Sequence, residues 1–196
     1  QHVIEVTHPN LKVKILGSLK IKVAVHQPKD SKCLQVLGVV ESTRESLNEF
    51  VSLFNFLADS IPNVEFTLRI HPDLDQRTSN QILKKLLTLK NLRISTETLV
   101  EDLQRTHIGV FRSSAVGLEG LAFGVLPVHF DATHFNYLNP LKYTKMEKFE
   151  FSEAKILADF LNQKPLDLNS SQSFQEECRN VLSDYFYPMK SITSLI

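Results

Sequence analysis

Cysteine is scarce: Cys33 and Cys178 are the only two in 196 residues. Their spacing fits no metal-binding pattern, so both read as reduced packing residues. A charge surplus is also lacking. The 22 basic and 22 acidic side chains cancel, leaving no global field to draw in nucleic acid or an anionic lipid surface. Any bound anion must therefore be gripped locally. No apolar run approaches the ~18–20 residues of a membrane-spanning helix. There is no divalent-metal motif, internal repeat or low-complexity segment. The chain opens Gln-His-Val-Ile-Glu, with neither an initiator Met nor a secretory leader. It is expected to be excised from a longer protein and to work in the cytoplasm, with peripheral attachment to the inner membrane left open.

What is present is the material for one α/β domain. The length suits a single domain, and 42% apolar residues can fill its core. Residues 1–32 read as a lead-in, with short extended pieces at Val3–Val6 and Val13–Leu16 broken by turns. From residue 33 to 196 the rhythm is regular. Cys33–Val40 is a continuous apolar run, as a buried parallel strand should be. Glu41-Ser42-Thr43 can cap the next helix. There Leu47, Phe50, Val51, Phe54, Leu57 and Ala58 form one apolar stripe, and Ile61-Pro62-Asn63 ends it.

Strands are predicted at Val64–Ile70, Leu92–Ser95, His107–Phe111 and Val125–Phe130. Helices are predicted at Ser79–Leu89, Thr98–Arg105, Ala115–Phe123, Ala154–Leu161 and Phe174–Phe186. A polar linker, Lys164–Ser173, separates the last two. The alternation predicts a Rossmann-like parallel sheet with helices on both faces.

In such a sheet, ligands bind beyond the carboxyl ends of the strands. Two ends here carry usable polar groups. At the first, Pro72 biases His71 towards an extended backbone, and an imidazole there can donate to a phosphate. At the second, Arg112-Ser113-Ser114 leads into a helix whose unpaired N–H groups suit an anion. The serines add hydroxyl donors, although either could simply cap the helix. Arg112 could add charge. Gly117 and Gly120 keep the helix slim where a ligand or strand approaches. Glu119 stands among Leu118, Leu121, Ala122 and Phe123, apolar company for a casual charge, and can accept from a ribose diol. His129, Asp131 and His134 follow another strand end, where they either line the cleft or are ordinary loop residues.

The pair His71-Pro72 and Ser113-Ser114, with His71 and Ser113 42 positions apart, resembles the HP and SS motifs of bacterial sialyltransferases, polysialyltransferases and capsule Kdo transferases. The run Ser113–Gly124 also resembles the wider GT-B pattern, in which a small-residue turn precedes a helix and a Glu lies five residues before a Gly. Ile15–Lys20 looks like the entry into the carboxyl-terminal GT-B domain. This resemblance implies one half of a GT-B fold that binds a nucleotide-sugar donor, with CMP favoured. His71, Pro72, Arg112, Ser113 and Ser114 would hold its phosphate, and Glu119 its ribose.

The acceptor, a surface glycan or lipid-linked molecule, and the acidic general base would belong to an amino-terminal domain absent here. No residue of this chain is named as base, and no cofactor or metal is expected. Three alternatives stay open: a UDP-sugar 2-epimerase-like enzyme, a CDP-glycerol-type glycerophosphotransferase, and a non-catalytic nucleotide-binding domain. Against the epimerase, Arg112–Val116 lacks an Asp-Ser-Gly-Gly turn.

Overall fold

The computed structural model describes residues 33–84, 86, 89–132, 139–142, 144–163 and 171–185. The lead-in at 1–32, its interdomain entry at 15–20, His134 and most of the 164–173 linker lie outside these residues. Six parallel strands form one sheet in the order β3-β2-β1-β4-β5-β6. They are β1 (Leu34–Val39), β2 (Val64–Arg69), β3 (Leu92–Ile94), β4 (Ile108–Phe111), β5 (Leu126–Phe130) and β6 (Glu150–Phe151). Among the described residues the α-helices are α1 (Arg44–Ser60), α2 (Gln76–Leu83), α3 (Leu99–Arg105), α4 (Val116–Leu121), α5 (Ala154–Asn162) and α6 (Gln172–Tyr185). This is the predicted Rossmann-like α/β arrangement.

The longest helix is α1. Thr43 caps it, its hydroxyl accepting from the Ser46 N–H at 3.1 Å. All six residues of the predicted stripe are buried, and Phe54 meets Phe66 of β2 edge to face, with ring centroids 5.7 Å apart. α2 and α5 pack beside α1 on this face. Because side chains alternate along a strand, Leu37 and Val39 point the other way. They join Leu103 of α3 and Val125 in a second cluster. α4 lies on the same side, against β4 and β5, with α6 beside it.

At the amino end of the sheet one side chain ties three segments. The Asn91 amide donates to the carbonyls of Ala58 at 2.9 Å, Ile61 at 3.3 Å and Val64 at 3.1 Å. The end of α1, the start of β2 and the entry to β3 are thereby pinned together.

Several boundaries differ from the sequence reading, those of α2 and α4 most instructively. α2 starts at Gln76 rather than Ser79, because the Asp75 carbonyl takes both the N–H and the hydroxyl of Ser79, each at 2.9 Å. It ends at Leu83, after which Leu86 and Leu89 bond three residues back rather than four. α4 is shorter than Ala115–Phe123. Its last turn tightens, and Gly124 takes φ 69° while the Val125 N–H reaches the Gly120 carbonyl at 3.0 Å. That is a Schellman-type stop, which only glycine adopts without strain. The sequence reading also missed β6 and the 3-10 turn Lys145–Phe149 before it; a two-residue strand has no detectable period.

Gly117 seats α4 on the sheet. A Cβ there would lie 2.6 Å from the Phe111 ring, and Phe111 is itself buried at 1% exposed. Gly117→Ala is expected to destabilise the domain by about 1–3 kcal/mol, as overpacked cores do. Urea unfolding followed by circular dichroism checks this; an unchanged midpoint would show that α4 is not seated by this contact.

Candidate functional site

In the observed strand order, β1 and β4 are neighbours whose crossovers leave in opposite directions. The crevice between their carboxyl ends is thus the topological switch point, where open α/β sheets take ligands. Register places the polar residues. Val39 is level with Arg69, and Gly38 is level with Val110. Continuing two and three residues along these ladders brings Glu41 level with His71 on one side and with Ser113 on the other. Strands lie about 4.8 Å apart, so three strand ends set His71, Glu41 and Ser113 in one row. The two predicted motifs therefore flank a residue that the sequence reading treated only as part of a helix cap.

That residue dominates the site. One Glu41 oxygen, Oε1, accepts from the Ser113 N–H at 2.7 Å and from the Ser113 hydroxyl. The other, Oε2, accepts from Arg112 Nε at 3.1 Å and Nη2 at 2.7 Å. Arg112 Nη1 donates to Glu49 Oε2 of α1 at 2.7 Å, while Glu49 Oε1 accepts from the Ala132 N–H at 3.4 Å.

The Arg112 side chain is 4% exposed, and those of Glu41 and Glu49 are 15% and 12% exposed. Burial alone would push Glu41 up; the Ser113 hydroxyl, the Arg112 guanidinium and the Ser113 N–H outweigh it and hold the carboxyl below its ordinary value. Burial likewise acts to lower Arg112, but the two carboxylates win and raise it. Arg112 was expected to lend charge to a bound anion. Instead it faces inward and spends its fork on two glutamates, because a guanidinium buried this deeply needs carboxylate partners.

The other predicted residues fall as follows. The Nδ1 of His71 accepts from the Asp73 N–H at 3.2 Å, with the Asp73 carboxylate 3.8 Å away. Nδ1 is therefore an acceptor here, the arrangement of the tautomer that carries its hydrogen on Nε2. The ring is 40% exposed, and Pro72 is exposed beside it. Ser114 does not cap α4: the cap position is Ala115, with no side-chain bond. Its hydroxyl instead accepts from the Val116 N–H at 3.2 Å, which leaves its own O–H proton to donate. Glu119 is half-buried on α4, with Leu118, Leu121 and Ala122 buried around it.

His129 and Asp131 are both buried at the β5 end. Among the described residues neither imidazole nitrogen of His129 has a hydrogen-bond partner. The ring packs on Phe111 with centroids 5.7 Å apart, and Glu150 stands 3.5 Å from Nδ1. Desolvation lowers His129 from its ordinary value, against the pull of Glu150 and Asp131. Asp131, Glu147, Glu150, Phe151 and Ser152 line a recess of about 330 Å³. Among the described residues no cluster of three or more His, Cys, Asp or Glu could hold a metal ion, and no helix is long and apolar enough to cross a membrane. Cys178 is a buried packing residue whose thiol desolvation pushes up to about 12, while Cys33 is half-buried; neither forms a disulfide.

No family model matches the chain, and no curated protein does. Solved structures do. The C-terminal domain of a group 1 family glycosyl transferase, LpcC from Francisella tularensis, aligns at TM-score 0.52 and 12% identity, covering 86% of this chain and all of that one. The chain shares its fold with a glycosyltransferase domain. An O-GlcNAc transferase from Thermobaculum terrenum aligns at TM-score 0.54 and 15% identity, covering 84% of this chain and 36% of that one. TarM of S. aureus, solved with fondaparinux, α-GlcNAc-glycerol and UDP, also reaches TM-score 0.54 at 15% identity, covering 98% of this chain and 40% of that one. The chain thus spans well under half the length of these two enzymes and the whole of a domain that was solved by itself. Identities this low establish the fold, and the site has to be argued from its own residues.

Two measurements probe the site as built. Arg112→Met strands the Glu41 and Glu49 carboxylates, and loss of one partner from such a buried group costs about 3–5 kcal/mol. Chemical denaturation at pH 7 should show that loss; a change under about 1 kcal/mol would mean that the cluster is solvated and weak. His129 provides a pH signature. Its folded value lies below the ordinary 6.5, so the unfolded chain takes the proton first. The stability it contributes is full above 6.5 and falls as pH drops towards the folded value. Thermal midpoints should decline as pH falls below about 6.5, and His129→Leu should flatten that decline. An identical slope in the variant would remove His129 from the account.

Proposed function

We propose that the chain is the nucleotide-sugar-binding half of a GT-B glycosyltransferase that passes a sugar from an activated nucleotide to a surface glycan or lipid-linked acceptor. Residues 33–196 would form the binding domain, with 1–32 leading in from an amino-terminal acceptor domain. The reading rests most on the row of strand ends at the switch point. There His71 and the Ser113-Ser114 turn follow the two strands that flank β1. The fold shared with a glycosyltransferase domain supports it.

In this reading, His71 and the serine hydroxyls hold the donor phosphate and stabilise the charge that develops on it as the glycosidic bond breaks. Glu119, half-buried on α4, accepts from the ribose hydroxyls. Pro72 holds the His71 backbone extended, and Arg112 acts indirectly, through Glu41. The general base and the acceptor site would come from the amino-terminal domain. A CMP-sugar is the preferred donor, on the resemblance of His71-Pro72 and Ser113-Ser114 to the HP and SS motifs. A UDP-sugar is the second reading, prompted by the UDP in the S. aureus neighbour.

Thermal stabilisation by CMP, UDP, CDP and dTDP separates these. A ligand at one hundred times its Kd raises native stability by about 2.7 kcal/mol. CMP is expected to stabilise most, undiminished by EDTA. A larger effect of UDP would move the donor to the second class, and no shift with any nucleotide at millimolar concentration would sink the nucleotide-binding reading. His71→Ala should abolish the stabilisation while leaving the midpoint without ligand within a few degrees of wild type. Unfolding of that variant would instead make His71 structural.

A further inference from the structure

Of the groups that the nucleotide reading assigns to phosphate, the Ser113 donors are already in use. Ser113 offers two protons at the cleft, one on its backbone nitrogen and one on its hydroxyl. Both go to a single oxygen, Oε1 of Glu41. This is how a phosphate oxygen would be held, and the group holding the place is an anion of the same sign. Resting on that nucleotide reading, we propose that Glu41 is a built-in competitor for the donor phosphate: its carboxylate caps Ser113 when the site is empty, and nucleotide binding must displace it.

Position, charge and anchoring support this. Glu41 lies two residues past β1, the central strand of the row, between His71 and Ser113 at the switch point. The Ser113 contact is at the exposed rim of the cluster, whereas the Arg112 contacts lie deeper. A carboxylate leaving Ser113 can thus keep its Arg112 partner through Oε2. The cluster holds two carboxylates against one guanidinium, so it carries a surplus negative charge even before a ligand arrives. A phosphate oxygen placed on the same donors would sit within hydrogen-bond range of that carboxylate, where like charges repel even at the dielectric of water. Capped Ser113 and phosphate-bound Ser113 therefore exclude one another.

The test compares Kd for CMP and for inorganic phosphate, measured by calorimetric titration of the full chain and its variants. Glu41→Gln keeps an acceptor near Ser113 but removes the charge that makes that bond strong. It is expected to bind both probes about tenfold tighter, the scale of one charge-assisted hydrogen bond. Glu49→Gln removes the same charge from the cluster without touching Ser113, and its gain in affinity should stay well below that of Glu41→Gln. Equal gains in both variants would reduce the effect to net charge and overturn displacement. If Glu41→Gln does not fold, Glu41→Asp draws the carboxylate back from Ser113 by one methylene and should also bind more tightly.

Wild type that binds CMP, with Glu41 variants that bind it no better or worse, would make Glu41 a structural pin and leave the nucleotide reading standing. Failure of wild type and every variant to bind either probe would remove both. Binding by Glu41→Gln alone would support both, and would show how strongly the resident carboxylate holds the site closed.

Discussion

A guanidinium taken out of water has to be answered by carboxylates, and Arg112 meets this requirement with two, one from the end of β1 and one from α1. Much else at the carboxyl edge follows from that pairing. It fixes the β4–α4 turn against β1, turns the Ser113 N–H and hydroxyl towards Glu41, and holds the loop after β5 through Glu49 and the Ala132 N–H. Strands give the row its spacing, and this one buried charge gives it its internal order. Buried ion clusters of this kind are seldom net stabilisers compared with an apolar filling. Their value lies in the geometry they impose, which here is the joining of β1 to β4 where the sheet changes direction.

The sheet and its coverage were legible because they are written in long patterns. The apolar run before Glu41, the stripe from Leu47 to Ala58 and the alternating strands and helices each span enough residues for a period to emerge. Short features escaped for the same reason. β6 has two residues, and the early end of α4 depends on the positive φ of Gly124 and the bond from Val125 to Gly120. Propensity along the chain does not foretell such closures.

The site was partly legible. His71 and the two serines could be placed at strand ends, since the pattern shows where strands stop. What the sequence could not show was which strand ends are neighbours. Once β1 lies between β2 and β4, a glutamate two residues past an apolar strand becomes the centre of the site. Arg112 carried a usable signal: an arginine directly after a buried strand needs carboxylate partners, and the acidic residues at the β1 end and on α1 were the candidates. His129 carried only its place near a strand end, where lining the cleft and ordinary loop were both open; that its ring lies buried against Phe111 emerges only from the pairing of β4 with β5.

The strand order also bears on how the protein comes together. Glu41 and Ser113 are 72 residues apart in the chain, and Arg112 and Glu49 are 63 apart. Closing loops of that length precedes any reward from the contact, and folds built on distant parallel pairings are slow to form. β2 and β3 can pair with what precedes them while β4 is still unformed. The cluster arises only when β4 docks on the far side of β1. The crevice therefore comes into existence only when β4 pairs with β1, and a chain folded short of that step has strands and helices but no crevice.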